Sequence, residues 1–291
     1  MSAETSEPES DPTKVTPAIK PKAKGRKSNG RGRKRFLLRR SDRRVPLRAL
    51  IPNVITLMGL SAGLTSIRMA IDGRLELAIG LIVLAGALDG LDGRVARLLK
   101  ASSKFGAELD SLADFVNFGV APAILLFTWG LNDLKSFGWI AALAFSISAA
   151  LRLARFNVSI DDPNKAQWRQ KYFEGIPAPA GALMVMLPLY LYQAGLDVVR
   201  DVPPLIALYM VIIAGLMVST LPSFSGKLLG HRIKFVYAMP LTVAGVLFAA
   251  ILFTYPYITL SVICGLYLAA LPLGGIFYRR DLAKFGLEGE I

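Results

Sequence analysis

Between Asp89 and Asp114 the chain reads D-G-L-D-G-R-V-A-R, eight further residues, then G-A-E-L-D-S-L-A-D. Asp89, Asp92, Asp110 and Asp114 thus sit together in a sequence that is otherwise mostly apolar. An ionisable side chain at membrane depth costs about 3 kcal/mol or more unless it is paired, hydrated or bound to metal, so such residues mark a working site. At about 100° per residue, Asp89, Asp92, Gly93, Ala96 and Arg97 fall within roughly 140° of helix surface. Gly106, Asp110 and Asp114, four apart, make a second stripe. The residues between the stripes include Lys100, Ser102, Ser103 and Lys104, enough polar chain to turn around. The spacing therefore predicts two antiparallel helices that face four carboxylates across a narrow gap.

Four carboxylates so close cannot all stay ionised in apolar surroundings without cations. Oxygen-only ligands suit hard divalent ions, Mg2+ or Mn2+, and two ions sharing bridging carboxylates fit the number of donors. Gly93 and Gly106 leave room for a ligand to approach the backbone. Arg97 offers a fixed cation for a phosphate. The alternative, buried Asp–Arg ion pairs in a polar helix pair, accounts for one such pair but not for four regularly spaced Asp against one or two Arg.

These residues have a family likeness. The pattern D-x-x-D-G-x-x-A-R, eight residues, G-x-x-x-D-x-x-x-D resembles the signature of the CDP-alcohol phosphatidyltransferases, and every fixed position of it is present. The resemblance implies that Asp89, Asp92 and Asp110 are metal ligands and that Asp114 is both ligand and general base. It implies nucleotide contacts at Gly93, Ala96 and Arg97, with Asn53 and Thr56 of the preceding helix near the same nucleotide, and an assembly of two copies.

The remaining chain must hold this stretch in place. It is 53% hydrophobic over 291 residues, with a mean hydropathy of +0.47, too apolar for a soluble globule. The net charge of +13 is concentrated at the start: residues 1–50 hold fifteen Lys/Arg against five Asp/Glu, leaving the rest close to neutral. Residues 1–36, rich in Pro, Ser, Gly, Lys and Arg, read as a disordered basic cytosolic tail. Ahead of a membrane domain such a tail meets anionic lipid more readily than nucleic acid. Arginines alternate with Phe36, Leu37, Leu38, Val45 and Leu47, and residues 37–50 predict an interfacial amphipathic helix. The first dozen residues, acidic and polar, predict no cleavable signal. Cys264 is the single cysteine, so no intrachain disulfide can form. His231, the single histidine, lies in a basic loop and reads as incidental.

From residue 51 to 280 eight apolar runs follow, predicting an all-α, polytopic membrane bundle with a tail at 281–291. The runs are Ile51–Ile71, Leu75–Leu98, Phe105–Trp129, Phe137–Phe156, Ala178–Ala194, Pro203–Leu221, Phe235–Phe253 and Tyr257–Phe277. Alternate connections are poor in cations: Asp72 to Arg74, Asn132 to Ser136 and Gly195 to Val202 carry one each, and Thr254 to Pro256 none. The opposite side holds the basic tail, Lys100 and Lys104, Lys165, Arg169 and Lys171, Lys227, Arg232 and Lys234, and Arg279, Arg280 and Lys284. By the positive-inside rule both termini and the Asp cluster face the cytosol, as in a bacterial-type inner (cytoplasmic) membrane.

The Asp motif fixes the donor class and leaves the acceptor open. Three stretches bear on it: Arg152 to Asn157, Phe173 to Ala180, and Pro222 to Lys227. An amino-acid acceptor needs a cation for its carboxylate, which Arg152, Arg155 or Lys227 would supply; choline would need an aromatic or acidic cage. The competing reading is that these arginines anchor helix ends at the headgroups. The stretches resemble the serine-accepting branch of the family. That likeness, over residues 45–280, implies transfer of the phosphatidyl group of CDP-diacylglycerol to the hydroxyl of L-serine with release of CMP. Choline, inositol (phosphate) or glycerol-3-phosphate are the nearest other acceptors. A Mg2+ transporter would need polar residues through the outer halves of the spans, which offer almost none. A bare membrane anchor leaves the Asp spacing unexplained.

Overall fold

The computed structural model describes residues 50–101, 103–160, 172–220, 222–224 and 238–284. Ser102, the basic tail, residues 37–49 of the expected interfacial helix, Lys227 and His231 lie outside the described residues, and Leu50 belongs to the first membrane helix. What is described is helical apart from one three-residue β pairing.

The first helix, α1 (Leu50–Ile71), turns back into α2 (Leu75–Leu98) through Asp72, Gly73 and Arg74. Gly73 has φ +73° there, the left-handed conformation that favours glycine. Arg74 N–H donates to the Met69 carbonyl at 2.8 Å, satisfying an orphan acceptor at the end of α1. Ser66 Oγ donates across to the Ala78 carbonyl at 2.8 Å and pins the two helices together. The turn into the third helix uses Lys100 at φ +50°. Ala101 N–H reaches the Ala96 carbonyl at 2.9 Å. Ser103 then caps the new helix, its Oγ accepting from Gly106 N–H at 3.0 Å.

The third helix, α3 (Lys104–Leu134), is 31 residues long. Its ladder widens to π-helical turns at Phe115–Val120 and Phe127–Leu131. The first has a local cause. Pro122 has no N–H for the Phe118 carbonyl, and just before it Ala121 N–H bonds back to Val116. Ser146 Oγ donates to the Gly119 carbonyl at 3.1 Å and covers a backbone acceptor in the widened turn. Ser146 belongs to α4 (Ser136–Ile160), which approaches so closely that a Cβ on Gly119 would lie 2.9 Å from Ala149 Cβ.

Beyond α4, β1 (Tyr172–Glu174) pairs antiparallel with β2 (Pro222–Phe224), Phe173 opposite Ser223. The run expected as one helix over Ala178–Ala194 is two: α5 (Ala178–Val185) and α6 (Leu187–Gln193). Pro188 explains the break, because its ring cannot coexist with an unbroken preceding turn. Then come α7 (Pro203–Val218), α8 (Ala238–Thr254) and α9 (Pro256–Lys284), the last running past the expected end of the membrane domain at residue 280.

Each of the eight apolar runs thus holds at least one helix among its described residues, but they are not equally fit to cross a bilayer. α1, α3 and α4 are long and apolar enough. Met239–Thr254 and Pro256–Pro272 qualify only as a pair, bent by 117° at Tyr255. α2 is long enough, but Glu76, Asp89, Asp92, Arg94 and Arg97 put at least three charges in every 18-residue stretch of it. With 16 residues α7 is short, spanning about 24 Å against a hydrocarbon core of about 30 Å. The interior is apolar, from Ile79 and Ile82 through Leu125, Leu126 and Phe145 to Met184, Leu189, Met210 and Ile213. Leu57, Leu84, Ile140, Ile147, Leu208, Val246 and Phe253 point outward and are exposed. An outer surface this apolar belongs to a membrane protein, where lipid covers it.

Candidate active site

Two helix pairings build the site. α1 lies along α2, and the first turns of α3 pack against α1. The stripe periodicity then turns Asp89 and Asp92 of α2 toward Asp110 and Asp114 of α3. Asp89, Asp92 and Asp110 each offer a carboxylate oxygen, and these three oxygens lie within 4.8 Å of one another. Asp114 is within hydrogen-bonding reach of Asp89. Asp92 is buried and the other three are half-buried. Among the described residues no Lys or Arg forms an ion pair with any of them, and the one salt bridge is the exposed Arg68–Asp72 pair at 3.8 Å.

This donor set fits hard divalent cations: all oxygen, all acidic, converging from two rigid helices and without a protein cation to neutralise it. Asp89, Asp92, Asp110 and Asp114 could hold such ions.

Beside the carboxylates lies a cavity of about 170 Å³. Asn53 and Thr56 from α1, Gly93 and Ala96 from α2 and Gly106 from α3 line it, with Asp92 and Asp110 at its edge. Nothing lies within 4 Å of where a Cβ on Gly93 would be, so that stretch of backbone is open. A Cβ on Gly106 would meet Asn53 Oδ1 at 2.9 Å and Ser103 Oγ at 3.1 Å, so a side chain there would crowd the cavity wall. Arg97 is exposed and turns back on its own helix, Nε donating to the Gly93 carbonyl at 3.1 Å.

A family model described as CDP-alcohol phosphatidyltransferase matches residues 49–221, and one described as CDP-alcohol phosphatidyltransferase 2 matches residues 236–272. The chain belongs to the CDP-alcohol phosphatidyltransferase family. Several similar proteins carry the name CDP-diacylglycerol–serine O-phosphatidyltransferase. One, from Mycobacterium leprae, is 49% identical over 147 residues, which is 50% of this chain and 48% of the relative. One from Helicobacter pylori strain 26695 is 35% identical over 221 residues, 75% of this chain and 88% of the relative. One from Methanocaldococcus jannaschii is 39% identical over 136 residues, 47% of this chain and 58% of the relative. The chain spans about half the length of the mycobacterial relatives it matches.

In this member of the family Asp89, Asp92 and Asp110 come together, Asp114 lies beside Asp89, and five of the six residues expected around the nucleotide line one cavity. Arg97 is next to that cavity but not on its lining. The described parts of the three stretches singled out for the acceptor also meet: Phe173 pairs with Ser223, and Arg152 bonds to Ile176. Arg152 is buried, donates from Nε to the Ile176 carbonyl at 3.2 Å, and stacks on Phe156 at 5.6 Å. Arg155 Nη1 donates to the Val218 carbonyl at 2.8 Å and reaches Ser219 at 3.4 Å, covering the exposed carbonyl end of α7. Gly175, at φ +75°, sits where a Cβ would be 2.6 Å from the Met217 carbonyl.

Two connections were not foreseen from the sequence. Thr56 Oγ1 donates to Asp92 Oδ2 at 2.6 Å. Asn157 Nδ2 donates to Ser111 Oγ at 2.9 Å, tying α4 to α3 next to Asp110. Neither has a local sequence signal, since each joins residues 36 or more apart. The buried Asn117 side chain lies against Gly59 and Gly63. Gly86 likewise packs against Phe118, while Gly90 has nothing within 4 Å of a Cβ.

Proposed function

We propose that this chain is a phosphatidylserine synthase, transferring the phosphatidyl group of CDP-diacylglycerol to the hydroxyl of L-serine and releasing CMP. The observation that carries the reading is the convergence of three carboxylates within 4.8 Å, with no ion-paired Lys or Arg among the described residues. The choice of serine is supported by the names of relatives that are 35% and 49% identical.

Asp89, Asp92, Asp110 and Asp114 would hold two Mg2+ or Mn2+ ions, which when bound neutralise the pyrophosphate and the charge left on CMP. Asn53, Thr56, Gly93, Ala96, Gly106 and Arg97 would bound the CDP moiety, the glycines admitting it close to the backbone. Asp114 would take the proton of the serine hydroxyl. The hydroxyl oxygen forms a bond to the diacylglycerol-bearing phosphorus as the bond from that phosphorus to CMP breaks. Most of the catalysis is then positioning, which two packed helices supply. The serine carboxylate needs a cation, for which Arg152, Arg155 and Lys227 are the candidates. Asn157, bonded to Ser111, brings the Arg152–Asn157 stretch alongside the Asp helix.

In this reading residues 51–280 are the catalytic membrane domain, crossing the inner membrane eight times. The tails at 1–36 and 281–291, the 37–50 interfacial helix and the site face the cytosol, and two copies assemble. The one-sided distribution of Lys and Arg supports that orientation. Purified protein given CDP-diacylglycerol and Mn2+ or Mg2+ is offered serine, choline, inositol and glycerol-3-phosphate separately. CMP release with serine alone is the expected result; release with another acceptor and not with serine would overturn the assignment.

A further inference from the structure

Thr56 lines the nucleotide cavity, yet its hydroxyl is engaged elsewhere. Oγ1 has one proton and two acceptors in range: Asp92 Oδ2 at 2.6 Å and the Pro52 carbonyl of its own helix at 3.1 Å. The carboxylate is nearer and is the stronger acceptor when ionised. Thr56 is 6% exposed and Asp92 4% exposed, so water cannot readily take the place of the hydroxyl. The bond also crosses between helices, from α1 to α2, and is the contact that fixes the rotamer of the most buried of the four aspartates. A hydroxyl whose proton is committed this way has only lone pairs to offer a nucleotide.

We propose that Thr56 is a positioning residue for the metal centre: it holds the Asp92 carboxylate so that one oxygen stays turned toward Asp89 and Asp110. Its role in binding CDP is secondary. This rests on the proposed function only in requiring that the Asp cluster bind divalent cations; it does not depend on the acceptor. Partners that orient a metal-binding carboxylate are worth about 10- to 100-fold in metal affinity when removed. The Pro52 carbonyl gives the hydroxyl an alternative acceptor, so Asp92 can rotate off Thr56 without leaving an unsatisfied donor.

The test compares the wild-type chain with Thr56→Val, Thr56→Ser and Asp110→Asn, all purified in detergent and checked for monodispersity and helix content. Mn2+ binding is followed by electron paramagnetic resonance without substrate, and the KM for CDP-diacylglycerol is measured at saturating Mn2+. The expected result is Mn2+ binding weakened about 10-fold or more in Thr56→Val. Thr56→Ser should restore it to within about threefold, and the KM of Thr56→Val should rise by a smaller factor than its Mn2+ affinity falls. Wild-type Mn2+ affinity in Thr56→Val, together with a raised KM, would overturn the proposal and make Thr56 a direct nucleotide contact. Should Thr56→Val fail to fold, Thr56→Ser against Thr56→Ala decides on the same readouts. Wild-type protein that binds no Mn2+ overturns both this proposal and the metal-centre reading. Binding lost in Asp110→Asn but intact in Thr56→Val removes Thr56 alone.

Discussion

Two regions place ionisable side chains among apolar helices, and they handle the charge in opposite ways. In the α1–α3 cleft, four aspartates face one another and no Lys or Arg among the described residues is ion-paired with them. At the junction of α4, α5 and α7, Arg152 and Arg155 give hydrogen bonds to the Ile176, Val218 and Ser219 carbonyls. The first region is incomplete as protein alone and calls for cations from outside. The second directs its cations to backbone carbonyls: Arg155 caps the C-terminal end of α7, where the helix dipole also favours it, and Arg152 bonds the Ile176 carbonyl at the entry to α5. Among the described residues the carboxylates lack a protein partner of opposite charge, whereas the arginines already have backbone acceptors that hold them in place.

The largest effect expected from this contrast is in the cleft. Asp110→Asn should abolish CMP release while leaving the elution profile and helix content unchanged, because the replaced carboxylate makes no structural ion pair. Retained turnover would break the comparison. At the junction the expectation is reversed. Arg152→Ala should lower the melting temperature by several degrees, since it leaves a buried carbonyl without its donor, a loss of about 1–3 kcal/mol. Arg155→Ala, at a half-exposed position, should raise the KM for serine about tenfold if its guanidinium also receives the acceptor carboxylate, as a charge-assisted bond of about 1.5 kcal/mol would. An unchanged KM would make it scaffolding like its neighbour.

Two glycines sharpen the picture at smaller scale. Gly106→Ala should raise the KM for CDP-diacylglycerol several-fold, because the new methyl would stand 2.9 Å from Asn53 Oδ1 in the cavity wall. Gly90→Ala, with nothing within 4 Å, should leave kinetics alone and stabilise α2 by up to about 1 kcal/mol from helix propensity.

The cleft was legible in the sequence because its information is local. Asp89 to Arg97 is one helix face, Gly106 to Asp114 is another, and the turn between them is spelled out by Lys100 and Ser103. Helix periodicity fixed those positions before any tertiary contact was known. The eight apolar runs were legible for the same reason, each holding a helix among its described residues. What could not be read was how apolar surfaces share out the bilayer. Pro188 divides the fifth run, α7 is short, and α8 and α9 meet at a sharp bend, so hydropathy alone overstates how uniform the spans are. The arginines were legible as cations but not as caps, because the carbonyls they serve come from α7 and from the entry to α5, 24 to 64 residues away. The Thr56–Asp92 bond is hidden for the same reason.

The central claim is that α2 and α3 together cage divalent cations between Asp89, Asp92, Asp110 and Asp114. Crystals of the full chain grown with Mn2+ and measured at the manganese absorption edge test it directly. The account predicts anomalous density, two peaks at full occupancy, within coordinating distance of these four carboxylates. A well-ordered cleft with no anomalous density between them would contradict it.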